Sequence, residues 1–109
     1  MNADEEGQPA TLFGQGPEVL LVLPPSFTYR EQAIGVVRTA PSVYDALVTL
    51  DGTRLVSAHR NAFRVLLTAL SDLDAYNITL ESREPWALDL FRRQADIFGP
   101  SFTNTRLIP

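Results

Sequence analysis

Apolar residues fall in short blocks separated by turn residues. Glu18-Val19-Leu20-Leu21-Val22-Leu23 is a continuous apolar run between Gly14-Gln15-Gly16-Pro17 and Pro24-Pro25. A run of this kind predicts a strand buried on both faces. Ala46-Leu47-Val48-Thr49-Leu50 predicts a second buried strand, stopped by Asp51-Gly52, and Tyr76 to Glu81 alternates as a third. Upstream, Ala10-Thr11-Leu12-Phe13 predicts a short edge strand, joined to the next by the Gly14–Pro17 turn as an opening hairpin.

Between these blocks the period changes to that of helices. Thr28 to Arg38 predicts a short helix, with Ser26 or Thr28 as its N-cap, Glu31 in its first turn and Pro41 closing it. Residues 58–73 carry the clearest stripe, with Ala62, Leu66, Ala69, Leu70 and Leu73 inward and Arg60, Asn61, Arg64, Thr68 and Ser71 outward. Ser82-Arg83-Glu84-Pro85 reads as a helix start capped by Ser82, with proline accommodated in the first turn. That helix runs from about Trp86 to Phe98, burying Leu90, Phe91 and Ala95, and Gly99-Pro100 stops it. Trp86, Phe91 and Phe98 read as core or staple residues, and Phe102 to Ile108 as a short strand or a docked tail.

The order β-β-α-β-α-β-α predicts an α/β fold with a small mixed, mainly parallel sheet and crossover helices. Residues 1–9 read as a flexible acidic tail and residues 10–109 as one domain. Hydrophobic residues make up 45% of the 109-residue chain, enough for a packed core. The net charge of -4, and nine scattered arginines with no lysine, argue against a nucleic-acid partner. The absence of cysteine excludes disulfides and thiolate chemistry. Met1-Asn2-Ala3-Asp4-Glu5-Glu6 reverses the order of a signal peptide, and no apolar run approaches the roughly 20 residues of a membrane span. A cytoplasmic location without membrane insertion is therefore expected.

The stretch from Thr49 to Phe63, TLDGTRLVSAHRNAF, resembles the signature region of STAS domains, the anti-sigma factor antagonist family. Leu50 matches the family's strand leucine, Gly52 its glycine, and Leu55-Val56 the apolar pair before its signature loop. Asn77 to Leu80 and Arg83 to Phe98 resemble the following strand and last helix, and Val19 to Phe27 the strand before the first helix. The resemblance covers roughly residues 10–100 and rests on pattern and spacing. It implies a STAS fold and a regulatory protein-binding role without enzymatic activity.

The signature loop itself departs from the family. Ser57 stands for the family aspartate, Ala58 for the first serine, His59 for the usual phosphoacceptor and Arg60 for the glycine. Ser57, the nearest hydroxyl, is out of register, so no phosphoacceptor is assigned. Arg60 places a cation at a helix N-terminus, which the helix dipole disfavours by about a few tenths of a kcal/mol, a weak pointer to an anionic partner. The expected partner-binding residues are Arg54, Ser57, Ala58, His59, Arg60, Asn61, Arg64 and Thr68. The resemblance implies an anti-sigma factor or histidine-kinase-like ATPase as partner. The alternative is a small STAS subunit stabilising the ATPase of a lipid-transport ABC system.

Enzymatic or nucleotide-binding function has little to stand on. Gly14-Gln15-Gly16-Pro17 lacks a phosphate-loop lysine and precedes a strand. His59 is the sole histidine, with no metal partners, and reads as a contact residue. Asp51 after its strand reads as turn-forming. No catalytic residue, metal or cofactor is expected.

Overall fold

The computed structural model describes residues 17–100 and 102–109. The expected tail, the strand at Ala10–Phe13 and the turn residues Gly14 to Gly16 lie outside the described residues. Strands β1 (Glu18–Val22), β3 (Leu47–Asp51), β5 (Asn77–Ser82) and β6 (Thr103–Leu107) form one sheet in the order β1-β3-β5-β6. Every pairing in it is parallel. The segment read as a strand or a docked tail is thus a strand, paired along β5.

Register explains which face is covered. Val19 pairs with Val48 and Val48 with Ile78, while Leu21 pairs with Leu50 and Leu50 with Leu80. All six are buried. The rows between them, Leu20–Thr49–Thr79–Asn104 and Val22–Asp51–Glu81–Arg106, form the other face. The expectation that β1 and β3 are buried on both faces is therefore corrected: Leu20 is 62% and Val22 46% exposed, and β3 alternates buried with half-buried positions. The unbroken apolar spelling of β1 hides a one-sided strand. Polar pairs bridge strands on the open face, with Asn104 Nδ2 donating to Asn77 Oδ1 at 3.3 Å and Arg106 3.2 Å from Glu81.

Three helices, α1 (Arg30–Arg38), α2 (Arg60–Asp72) and α3 (Pro85–Phe98), cover the apolar face. The middle one, α2, packs against both of the others. Flanked in this way, α2 buries a wider face than a single stripe, and the face is rotated from the expected one. Ala62, Phe63, Leu66, Leu67 and Leu70 are buried, while Ala69 is half-buried and Leu73 is exposed. In α3 the buried residues are Ala87, Leu88, Phe91 and Ala95, with Leu90 and Phe98 only partly covered and Trp86 exposed. Of the three aromatics read as core or staple residues, only Phe91 is fully inside.

Two caps differ from expectation. Tyr29, not Ser26 or Thr28, is the N-cap of α1. The start of this helix is held by Gln32: its Oε1 accepts the backbone N–H groups of Thr28 (2.7 Å) and Tyr29 (2.9 Å), and its Nε2 donates to the Ser26 carbonyl at 2.6 Å. Glu84, not Ser82, caps α3, with Pro85 as first helical residue. Ser82 is fully buried two residues earlier, and its hydroxyl accepts the Glu84 N–H at 3.2 Å.

Two very short strands, β2 (Ser26–Phe27) and β4 (Ser57–Ala58), pair in parallel as a separate ladder. Two residues carry no readable period, so nothing in the hydrophobic pattern announces this ladder. It is locked by Val56 N–H to Pro25 O (2.8 Å) and His59 N–H to Phe27 O (3.0 Å). Beneath it, Phe27 meets Phe63 edge-on at 5.3 Å between centroids, and Phe63 meets Phe91 at 5.6 Å. Among the described residues no helix is long and apolar enough to cross a membrane.

Phe63 is fully buried between two other rings. Phe63→Ala is expected to destabilise the fold by about 3–5 kcal/mol, read as a lower urea midpoint, whereas Phe63→Leu costs clearly less.

Candidate functional site at the start of the second helix

The polypeptide leaves β3 through a turn built on Asp51. Its Oδ1 accepts the Thr53 N–H at 3.0 Å and the Thr53 hydroxyl at 2.6 Å. These two hydrogen bonds hold the carboxyl below the usual carboxylate range, with smaller help from the Arg54 and Arg83 charges against a modest desolvation penalty. This is the turn-forming role read from the sequence. Gly52 follows, its N–H donating to the Glu81 carbonyl of β5 at 2.7 Å. A Cβ here would lie 2.9 Å from that carbonyl oxygen and 2.9 Å from Leu55 Cδ1, so the approach of the two backbones requires glycine. Leu55 then turns into the core, and the backbone is delivered to β4.

From β4 onward the residues singled out in the sequence form an unbroken strip. Ser57 is exposed, its Oγ 3.2 Å from Ser26 Oγ across the small ladder, and Ala58 is half-buried. His59 is the N-cap of α2, and its Nδ1 accepts the Asn61 N–H at 3.1 Å. The imidazole is thus occupied in closing the helix, with Nδ1 as acceptor. Arg60 and Asn61 occupy the exposed first turn, and Arg64 and Thr68 follow on the same exposed side at helical spacing. Arg54 is also exposed but sits in the Asp51 turn, separated from the strip by buried Leu55 and by Val56.

Sequence reasoning missed four contributors. Ser26 and Gln32 anchor the opposite side of the loop, and their role depends on the β2–β4 ladder. Val56 and Tyr29 are 76% and 68% exposed, apolar area presented beside the strip. A valine after a leucine reads as core, so its outward direction had no signal in the sequence.

Comparison of the chain with protein-family models, with curated proteins and with solved structures finds no match.

Two outcomes follow from the loop geometry. His59→Ala removes the cap acceptor and is expected to cost about 1 kcal/mol in urea denaturation, while His59→Asn, a strong capping residue, retains stability. Asp51 bears on pH. Its depressed folded-state value means that its contribution is present above the ordinary carboxylate value of 3.8 and is lost as pH falls through the folded value. Asp51→Asn is therefore expected to unfold at lower denaturant than the parent at pH 6, with the gap closing as pH is taken below 3.8.

Proposed function

We propose that this chain is a non-enzymatic regulatory protein-binding module of the STAS type, akin to an anti-sigma factor antagonist and insensitive to phosphorylation at the usual position. The observation that carries the reading is the strip from Ser57 to Thr68: exposed, rich in hydrogen-bonding and cationic side chains, and pinned to the core by the β2–β4 ladder and Phe63. A surface held this way loses little conformational entropy on docking, which favours recognition of a protein partner. Arg60 and Arg64 supply fork-shaped donors suited to partner carboxylates, and Val56 and Tyr29 supply apolar contact area. His59 stands where the family resemblance puts the phosphoacceptor, and its ring is committed to the helix cap. The partner that fits the resemblance is an anti-sigma factor or a histidine-kinase-like ATPase.

The test is capture of partners on the immobilised full chain, identified by mass spectrometry, for the parent and for Ser57→Glu and Arg60→Glu. The expected result is a kinase-like ATPase retained by the parent, lost by at least tenfold in both variants, and leaving no phosphate on the chain when ATP is present. Stoichiometric phosphorylation, or full retention by both variants, overturns the reading. Capture of an ABC ATPase in its place would identify the chain as a transporter subunit.

A further inference from the structure

The outer side of α2 carries a feature that the loop does not explain. An open trough of about 610 Å³ lies along it, bordered by Arg30 and Ile34 of α1 and by Phe98 of α3. Its floor is aliphatic and aromatic, made by the half-buried side chains of Ile34, Val65, Ala69 and Phe98. Its polar rim, which shares Arg64 and Thr68 with the strip, is asymmetric: Arg30 and Arg64 are the cations that line it, and Asp72 is the single acid. Among the described residues neither arginine makes an ion pair, as is also true of Arg38, Arg54, Arg60 and Arg83. The Arg64 guanidinium rests over the Phe98 ring, 5.6 Å from its centroid, which holds it at the rim. Arg60 extends the cationic end by one further helical turn.

We infer that this trough docks an amphipathic helix of the protein partner, apolar face down, with acidic residues set against Arg30 and Arg64. This inference rests on the binding-module reading and names the chemistry of what binds.

Three properties select that occupant. From Arg64 to Asp72 the trough follows α2 for about 12 Å at 1.5 Å per residue, enough for the i, i+3 or i+4 and i+7 anchors of an incoming helix. It is shallow and lacks the converging buried polar groups by which enclosed pockets orient small ligands. The arginines at one end, without an ion pair among the described residues, call for carboxylates there, and Asp72 disfavours them at the other, so the charge pattern sets polarity as well as affinity.

The test uses the full-length chain and fluorescein-labelled helical peptides of identical apolar spacing, flanked at one end by glutamate, glutamine or lysine. Anisotropy and amide chemical shifts are measured. The glutamate peptide is expected to bind at least tenfold more tightly than the glutamine peptide and to shift Ile34, Val65, Ala69 and Phe98. Arg30→Glu with Arg64→Glu should invert the preference toward the lysine peptide, while Ala69→Arg should abolish binding of all three. Equal binding of glutamate and glutamine peptides, shifts centred elsewhere, or no binding at millimolar peptide overturns the inference. So does sedimentation showing self-association blocked by Ala69→Arg, which would assign the trough to a second copy. So too does a tenfold gain in peptide affinity when Asp4, Glu5 and Glu6 are neutralised together, which would assign it to the chain's own acidic segment. Should the peptides fail while Arg60→Glu still abolishes partner capture, the trough assignment falls and the binding-module reading stands. If Ser57→Glu and Arg60→Glu both leave capture intact as well, both fall.

Discussion

Phe63 is the residue on which the two halves of the molecule meet. It sits in the first turn of α2, edge-on to Phe27 of the small ladder on one side and to Phe91 of α3 on the other. An α2 start that simply followed a loop would be free to fray, since the first four N–H groups of a helix have no partner within it. Here the ring stack fixes its position, the β2–β4 ladder fixes the entering backbone, and the His59 ring accepts one of the orphan donors. The exposed strip inherits its rigidity from these buried contacts. Ser57, Arg60, Asn61, Arg64 and Thr68 remain exposed while the surface keeps its shape.

Glycine at position 52 plays the complementary part on the sheet side. The ends of β3 and β5 approach so closely that a methyl group would collide with a backbone carbonyl, which has nowhere to retreat within the ladder. That approach sets the point from which the Asp51 turn and Leu55 swing the backbone toward β4. Site and sheet are thus connected by a short rigid path: a carboxylate-locked turn, one buried leucine and a two-residue ladder.

Helices and the alternating strand β5 were legible because their periods are written in side-chain type. Asn77 to Glu81 spells its own buried and exposed faces, and Leu66, Leu70, Phe91 and Ala95 announce theirs. What escaped did so for physical reasons. The Val19–Leu23 run is apolar at every step, so composition cannot tell that Leu20 and Val22 face away from the helices. The width of α2's buried face depends on its having neighbours on both sides, a tertiary fact that moved Phe63 and Leu67 inward and Leu73 outward. Gln32, the anchor of α1, has no signal in the hydrophobic pattern, because its partners are backbone groups before the helix. The strip from Ser57 to Arg64 and Thr68 lies close together in sequence and was legible as one stretch. The trough beside it was not, since Ile34, Val65 and Phe98 come from three different helices.

The parallel topology has an electrical consequence. Strands that all run one way require their crossover helices to run the other way, so α1, α2 and α3 point together and their peptide dipoles add where antiparallel helices would cancel. All three positive ends emerge beside the carboxyl ends of the strands, where Arg30, Arg54, Arg60 and Arg83 sit among Glu31, Asp51, Glu81 and Glu84. The far end collects the negative helix ends with Glu18, Asp45, Asp72 and Asp74, and with Arg38 in the last turn of α1. A chain of net negative charge thereby carries a field with a direction. The aligned dipoles favour negative charge at the strands' carboxyl ends and positive charge at the far end, and dissolved salt shortens the reach of that field.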